Sequence, residues 1–289
     1  MASHPLFPVL LATTAAAFFG AQAVLARRSM RHVDAQTGAM ITIVTATTVF
    51  WMLGAFRFQA DWWRSPAVWV FVVNGFVHPT VSMFLSFEAN RRMGATVSAA
   101  IAGTTPLFAA AGAVLGLGEH VTPQILLGTL GTVAGIIVLS WARGGRKEWA
   151  HSALFFPLGA AAVRAFNQVW TRFGLSLLPL PLFAATVSFS VASLASVAGY
   201  RATHGRLPLR LPLAGVAWAA LGGLTVVVAI LCMFSALNLG AVVVVSPVVS
   251  AYPLFTLFWS LLFRQETLHT RILVGVALVV GGVILISLR

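Results

Sequence analysis

Arg164 sits inside an otherwise apolar run, residues 152–172, with Asn167 and Gln168 at i+3 and i+4. That spacing puts all three on one face of a helix. A guanidinium beside two amides suits a carboxylate or a phosphate, which it can grip through paired N–H donors. A second stripe, Asn74, His78 and Ser82, recurs at i, i+4 and i+8 within the run 66–87, and Pro79 loosens the backbone beside it. His78 could bind a substrate or take up a proton. Plainer readings stand beside both stripes. Arg164 could snorkel or pair with carbonyls freed near Pro157, and His78 could be a buried histidine satisfied by a neighbouring carbonyl.

Smaller polar side chains interrupt other runs. Ser98, Thr104 and Thr105 lie in 93–117, Ser246, Ser250 and Tyr252 in 240–263, and Gln22 in 5–26. Ser and Thr in such runs often bond only their own helix, which leaves Tyr252 and Gln22 as the better ligands. Pro106 and Pro253 should kink their runs, either as gating hinges or as fixed bends that shape a cavity. Glu88 can pair with Arg91 or Arg92 and contribute to a gate. Glu119 and Glu266 close their runs, where capping or loop anchoring is the expected role.

These runs set the solvent. Of 289 residues, 59% are hydrophobic and 8% charged, against roughly 25% charged in soluble domains. Between Arg210 and Arg264 lie 53 residues without an Asp, Glu, Lys or Arg. Lipid must cover some of this surface, and backbone groups in lipid must be satisfied internally, by helices or by a closed barrel. Barrel strands would alternate. Ala241 to Val249 does not, so the chain is expected to be an all-α membrane protein. The lone Cys232 makes no internal disulfide and reads as packing. The N-terminal run lacks a preceding basic region and reads as a retained first span rather than a cleaved signal.

Ten spans are expected: 5–26, 38–56, 66–87, 93–117, 123–142, 152–172, 176–200, 211–234, 240–263 and 271–288. Trp62, Trp63, Trp141 and Trp149 fall at span ends, where an aromatic belt would place them. The net charge of +12 reads as membrane-flanking anchors and not as a nucleic-acid surface. With ten spans both termini share a face. That face carries Arg57, Arg64, Arg172 and Arg289. The opposite face carries Arg27, Arg28, Arg31, Arg91, Arg92, Arg143, Arg146, Lys147, Arg201, Arg206, Arg210, Arg264 and Arg271. The split is 4 against 13, and the positive-inside rule then puts both termini outside the cytoplasm.

The chain also aligns with itself at a shift of 147 residues. Phe87, Ala89, Pro106, Leu107, Phe108, Glu119, Gly128 and Gly135 fall on Phe234, Ala236, Pro253, Leu254, Phe255, Glu266, Gly275 and Gly282, with 14 identities in the 52 positions from 87 to 138. This is a duplication, expected as 1–147 and 148–289 within one membrane domain. Five spans per copy is odd, so the copies insert in opposite senses about an axis in the membrane plane. Such inverted repeats recur in transporters, with a binding site between them near the midplane and rocking that opens it alternately.

Five plus five spans, with Pro-Leu-Phe in spans 4 and 9, Phe87-Glu88-Ala89, Gly118-Glu119 and the glycines of spans 5 and 10, resemble the drug/metabolite transporter superfamily. The nearest likeness is its EamA-type branch of metabolite exporters. The resemblance implies a cavity lined by spans 1, 3, 4, 6, 8 and 9. It implies spans 5 and 10 as structural supports or oligomer contacts, so a homodimer through them is allowed. Gly131 and Gly135 have the spacing for close helix packing. The resemblance also implies cytoplasmic termini, against the charge count. Glu88 and Arg164 depart from the family pattern.

No carboxylate is expected near the midplane, which disfavours an antiporter of cationic drugs. The scattered histidines form no metal site, no nucleotide-binding loop is present, and no catalytic constellation or cofactor is expected. The sequence therefore reads as a non-enzymatic secondary transporter in a bacterial inner membrane, working by alternating access on a small anionic or zwitterionic metabolite. Its partners are that substrate and membrane lipids. Arg164, Asn167, Gln168, Asn74, His78, Tyr252 and Gln22 are the candidate ligands, and Pro106, Pro253 and Glu88 the candidate gate or hinge residues. Two other readings remain: a lipid or lipid-phosphate flippase, and a non-transporting membrane assembly factor.

Overall fold

The computed structural model describes residues 6–93, 98, 101–141, 151–206, 208, 211–262 and 270–288. Glu266, Trp149, Arg143, Arg146, Lys147, Arg210, Arg264 and Arg289 lie outside the described residues. Among those described, all regular structure is helical, and the helices follow the ten expected spans. Leu6–Ser29, Ala35–Gly54, Pro181–His204, Leu213–Leu239 and Val242–Leu262 are each long and apolar enough to cross a membrane. They form spans 1, 2, 7, 8 and 9. Span 5 is Pro123–Trp141, span 6 Phe155–Leu177 and span 10 Thr270–Ser287.

Three spans are broken rather than bent. Span 3 runs as Ala67–Phe76, then a widened turn over Val77–Val81, then Ser82–Met93. Within that turn His78 is extended, at φ −126° and ψ 126°. It precedes Pro79, whose ring drives the residue before it out of the helical region. Span 4 breaks at Gly103 and Thr104 before Thr105–Leu117, and span 9 breaks at Ala251, between Val242–Ser250 and Tyr252–Leu262. Pro106 and Pro253 were expected to kink continuous helices. Each instead sits in the first turn of the second piece, where a missing N–H costs nothing because no intrahelical partner exists there. Gly118 ends the span 4 helix with φ 67°, the left-handed cap that glycine takes without strain.

The packing obeys the two-fold relation. Span 1 lies on span 8, and span 6 on span 3; span 2 lies on span 8, and span 7 on span 3; span 1 meets the second piece of span 9, and span 6 the second piece of span 4. Spans 2 and 7, 4 and 9, and 5 and 10 pair with their own counterparts. The chain is thus two inverted five-helix repeats. Glycines set the closest of these approaches. A Cβ at Gly128 would lie 2.7 Å from the Gly282 carbonyl oxygen, and one at Gly135 would lie 2.8 Å from that of Gly275. The glycines of spans 5 and 10 therefore form a reciprocal seam within one chain. A homodimer formed through these spans must use their outward faces, where Leu127 and Leu273 are exposed.

On the face that carries the termini, two charged side chains fasten the turn between spans 8 and 9. Glu119, beyond the end of span 4, accepts from Val242 N at 2.8 Å through one carboxylate oxygen and from Val243 N at 3.0 Å through the other. It thereby caps the start of span 9, where free N–H groups and the helix dipole favour an anion. Arg172 donates to the carbonyls of Leu237 and Asn238, both at 2.9 Å, at the end of span 8. The turn between spans 8 and 9 is held by an anion at its positive end and a cation at its negative end. Nearby, Phe58, Trp62 and Trp63 all pack edge-on against Phe183, with ring centroids 4.9–5.8 Å apart.

Candidate functional site

Between the breaks in spans 4 and 9 lies a cavity of about 580 Å³. Ala102, Gly103 and Thr105 border it on one side, and Val249, Ser250, Tyr252 and Pro253 on the other. Breaking a helix leaves N–H groups at one new end and carbonyls at the other without intrahelical partners. Part of what the breaks free is satisfied on the spot: the Ile101 carbonyl accepts from Thr104 N at 3.0 Å, the Ala102 carbonyl from the Thr105 hydroxyl at 2.8 Å, and the Val248 carbonyl from Ala251 N at 3.1 Å. It reaches Arg27, exposed near the end of span 1, and so it opens toward the face opposite the termini.

Six of the seven expected ligands line it: Gln22, His78, Arg164, Asn167, Gln168 and Tyr252. Their environments differ. Asn167 donates from its amide nitrogen to Asn74 Oδ1 at 2.6 Å, and Asn74 donates to Thr171 Oγ1 at 2.9 Å. Asn74 is 1% exposed and does not border the cavity. Both ends of its amide are spent on fastening span 3 to span 6. His78 Nδ1 lies 2.8 Å from Ser82 Oγ, one turn on.

Arg164 is half-buried, and among the described residues its guanidinium makes no hydrogen bond or ion pair. Gln168 is only 6% exposed, and its Oε1 is buried without a partner. Tyr252 is 39% exposed. No acidic side chain is among the described residues lining the cavity.

The expected gate residues separate. Pro253 borders the cavity, whereas Pro106 is buried in the first turn after the span 4 break. Glu88 lies well away, where Arg92 donates to it from Nε at 2.6 Å while the Arg92 guanidinium stacks 4.3 Å over the Phe156 ring. Of the smaller candidates, Thr105 and Ser250 line the cavity, while Ser98 and Ser246 are buried elsewhere. Arg27, Phe19, Met233 and Thr256 also line it. Arg27 had read as a flanking charge. Thr256 could have been found from its place three residues after Pro253, on the piece that restarts beside the break.

Ten spans in two inverted copies, with broken helices around a partly polar cavity, make a multi-pass membrane protein. The family model of the EamA-like transporter family matches residues 6–141 and again 151–288, so the chain belongs to that family. No curated protein matches the sequence. Among solved structures, a crystal structure of a protein superposes with a TM-score of 0.81 at 20% identity, over 96% of this chain and 95% of that one. That likeness establishes the fold.

Proposed function

We propose that this protein is a secondary transporter of the bacterial cytoplasmic membrane that moves a small anionic or zwitterionic metabolite by alternating access. An amino acid or a related compound is the foremost candidate. The observation that carries this is Arg164, a cation within the membrane whose guanidinium has no partner among the described residues. A charge in that position is costly, by at least about 2.5–3.5 kcal/mol on insertion scales, so it calls for a counter-charge from a ligand. Beside it, the partnerless Gln168 Oε1 supplies an acceptor. The hydroxyls of Ser250 and Tyr252, on either side of the break in span 9, line the same cavity.

Counterflow in proteoliposomes with a panel of amino acids and small carboxylates tests this reading. Arg164→Ala should raise the half-saturation concentration by about tenfold or more, the value of a lost charge-assisted hydrogen bond. Arg164→Lys should fall between, because an ammonium offers a point charge and no bidentate fork. Unchanged affinity in a folded Arg164→Ala protein would remove the reading. An assembly factor would satisfy its polar stripes internally, and the unpartnered Arg164 and Gln168 weigh against that.

A further inference from the structure

The two-fold axis relates the seam between spans 4 and 6 to the seam between spans 9 and 1, yet the two are filled differently. In the 9–1 seam Trp259 lies between the helices and donates from its indole nitrogen to the Ala17 carbonyl at 3.0 Å. Gly20 admits span 9 so closely that a Cβ there would lie 2.7 Å from Phe255 Cβ. The residue 147 positions before Trp259 is Gly112. There the seam holds an open groove of about 570 Å³.

A Cβ at Gly112 would meet only the Val169 side chain, at 3.2 Å, and one at Gly116 would meet nothing within 4 Å. Phe108 and Leu115 wall the groove from span 4, with Phe166 and Phe173 opposite on span 6. Trp170 also lines it, but its indole N–H is spent on the Val70 carbonyl at 3.0 Å, so only the ring is offered. Every lining side chain is apolar, in contrast to the cavity on the other face of span 6. Leu115 is 87% exposed and Phe166 41%, so the rim is continuous with the surface that faces lipid. Both walls run toward the face that carries the termini.

We propose that this groove binds an acyl chain of a phospholipid from the leaflet on the termini side. An empty groove would forfeit dispersion contacts along both walls, and water there would find no polar partners. The second repeat meets the same need with its own indole. In the first repeat, glycine leaves the space to the solvent of the membrane, and an alkyl chain fits an irregular, wholly apolar slot without leaving a polar atom unpaired.

The test uses proteoliposomes of phosphatidylethanolamine and phosphatidylglycerol with a trace of phospholipid bearing a diazirine in its acyl chain. After irradiation, adducts are mapped by mass spectrometry. They should concentrate on residues 108–117 and 162–173. Gly112→Trp, which restores the indole of the other seam, and Gly116→Trp, which enters open space, should each abolish that concentration. Adducts around Leu273 and Ile284 on span 10 should persist. Groove labelling no denser than that on span 10 in the natural protein would overturn the proposal, and so would groove labelling that survives Gly116→Trp in a monodisperse preparation. Neither glycine borders the cavity, so the outcome is independent of how substrate is bound.

Discussion

Gln168 and Asn74 illustrate how little a residue's type says about its work. Both are buried amides in spans, yet one has its amide fully spent and the other has a partnerless oxygen. The difference predicts opposite responses to substitution. Gln168→Leu removes a group that costs about 1–3 kcal/mol to bury unsatisfied, so thermal unfolding in detergent should move up while transport affinity falls. Asn74→Ala strands the Asn167 and Thr171 groups, so it should lower stability by a similar about 1–3 kcal/mol, read by the same melt. The run of Asn74, His78 and Ser82 was legible as polar. That Asn74 meets span 6 while His78 borders the cavity was not, because the helix breaks at His78 before Pro79 and the i, i+4, i+8 period does not carry across the break. Arg164 was legible because an ion in an apolar run needs a reason whatever the fold.

Asp34 carries the pH dependence that geometry allows outside the spans. It caps span 2, accepting from Thr37 N at 2.9 Å and from the Thr37 hydroxyl. Partial desolvation opposes its ionisation, but the hydrogen bonds from Thr37 outweigh that, and the carboxyl is held below its usual value. Its contribution is therefore present above the unfolded value of about 3.9 and is lost as pH falls through the lower folded value. Melts from pH 7 to pH 3 should show natural protein losing stability over that acid window relative to Asp34→Asn. Asp34→Ala should cost about 0.5–2 kcal/mol at neutral pH.

At the scale of elements, the informative feature is the turn between spans 8 and 9. Glu119 holds one end and Arg172 the other. Glu119→Gln keeps one acceptor and loses the charge, while Arg172→Ala leaves two carbonyls to find other donors. Both should loosen this turn. Single cysteines placed near residue 240 in a Cys232→Ala background should react faster with a maleimide in either variant, and equal rates would show that the turn is held by packing alone. The Pro-Leu-Phe segments were readable as special, but as bends. That the helix stops before Thr105 and restarts, and stops after Ser250 and restarts, depends on how the two pieces pack against other spans, and no single run of sequence contains that information. The unequal 4–6 and 9–1 seams were written in the repeat as Gly112 against Trp259, at an offset where identities, and not differences, drew attention.

At the scale of the whole molecule, the duplication and the span count were legible because hydropathy and charge act locally and the repeat is long. The charge split makes a prediction of its own. The family resemblance implies cytoplasmic termini, whereas the positive-inside rule, with 4 flanking cations on the termini face and 13 opposite, predicts termini outside the cytoplasm. Impermeant labelling of a tag at each end in intact cells should then succeed without lysis. Labelling only after lysis would show that the flanking arginines do not govern insertion.

The glycine seam of spans 5 and 10 lies on the pseudo-two-fold axis and is made by the same positions of each copy. An exchange of open and closed faces by that axis turns pairs such as spans 1 and 8 into spans 6 and 3, but it maps the seam onto itself. On the alternating-access reading we predict that this seam, where glycines hold the two helices in backbone contact, is the stationary part. Gly282→Leu should collapse stability, since a side chain has no room there beside Gly128 and Thr132. A spin-label pair bridging the outer ends of spans 5 and 10 should keep one distance throughout the transport cycle. That distance is the ruler against which movement of the other eight spans can be measured.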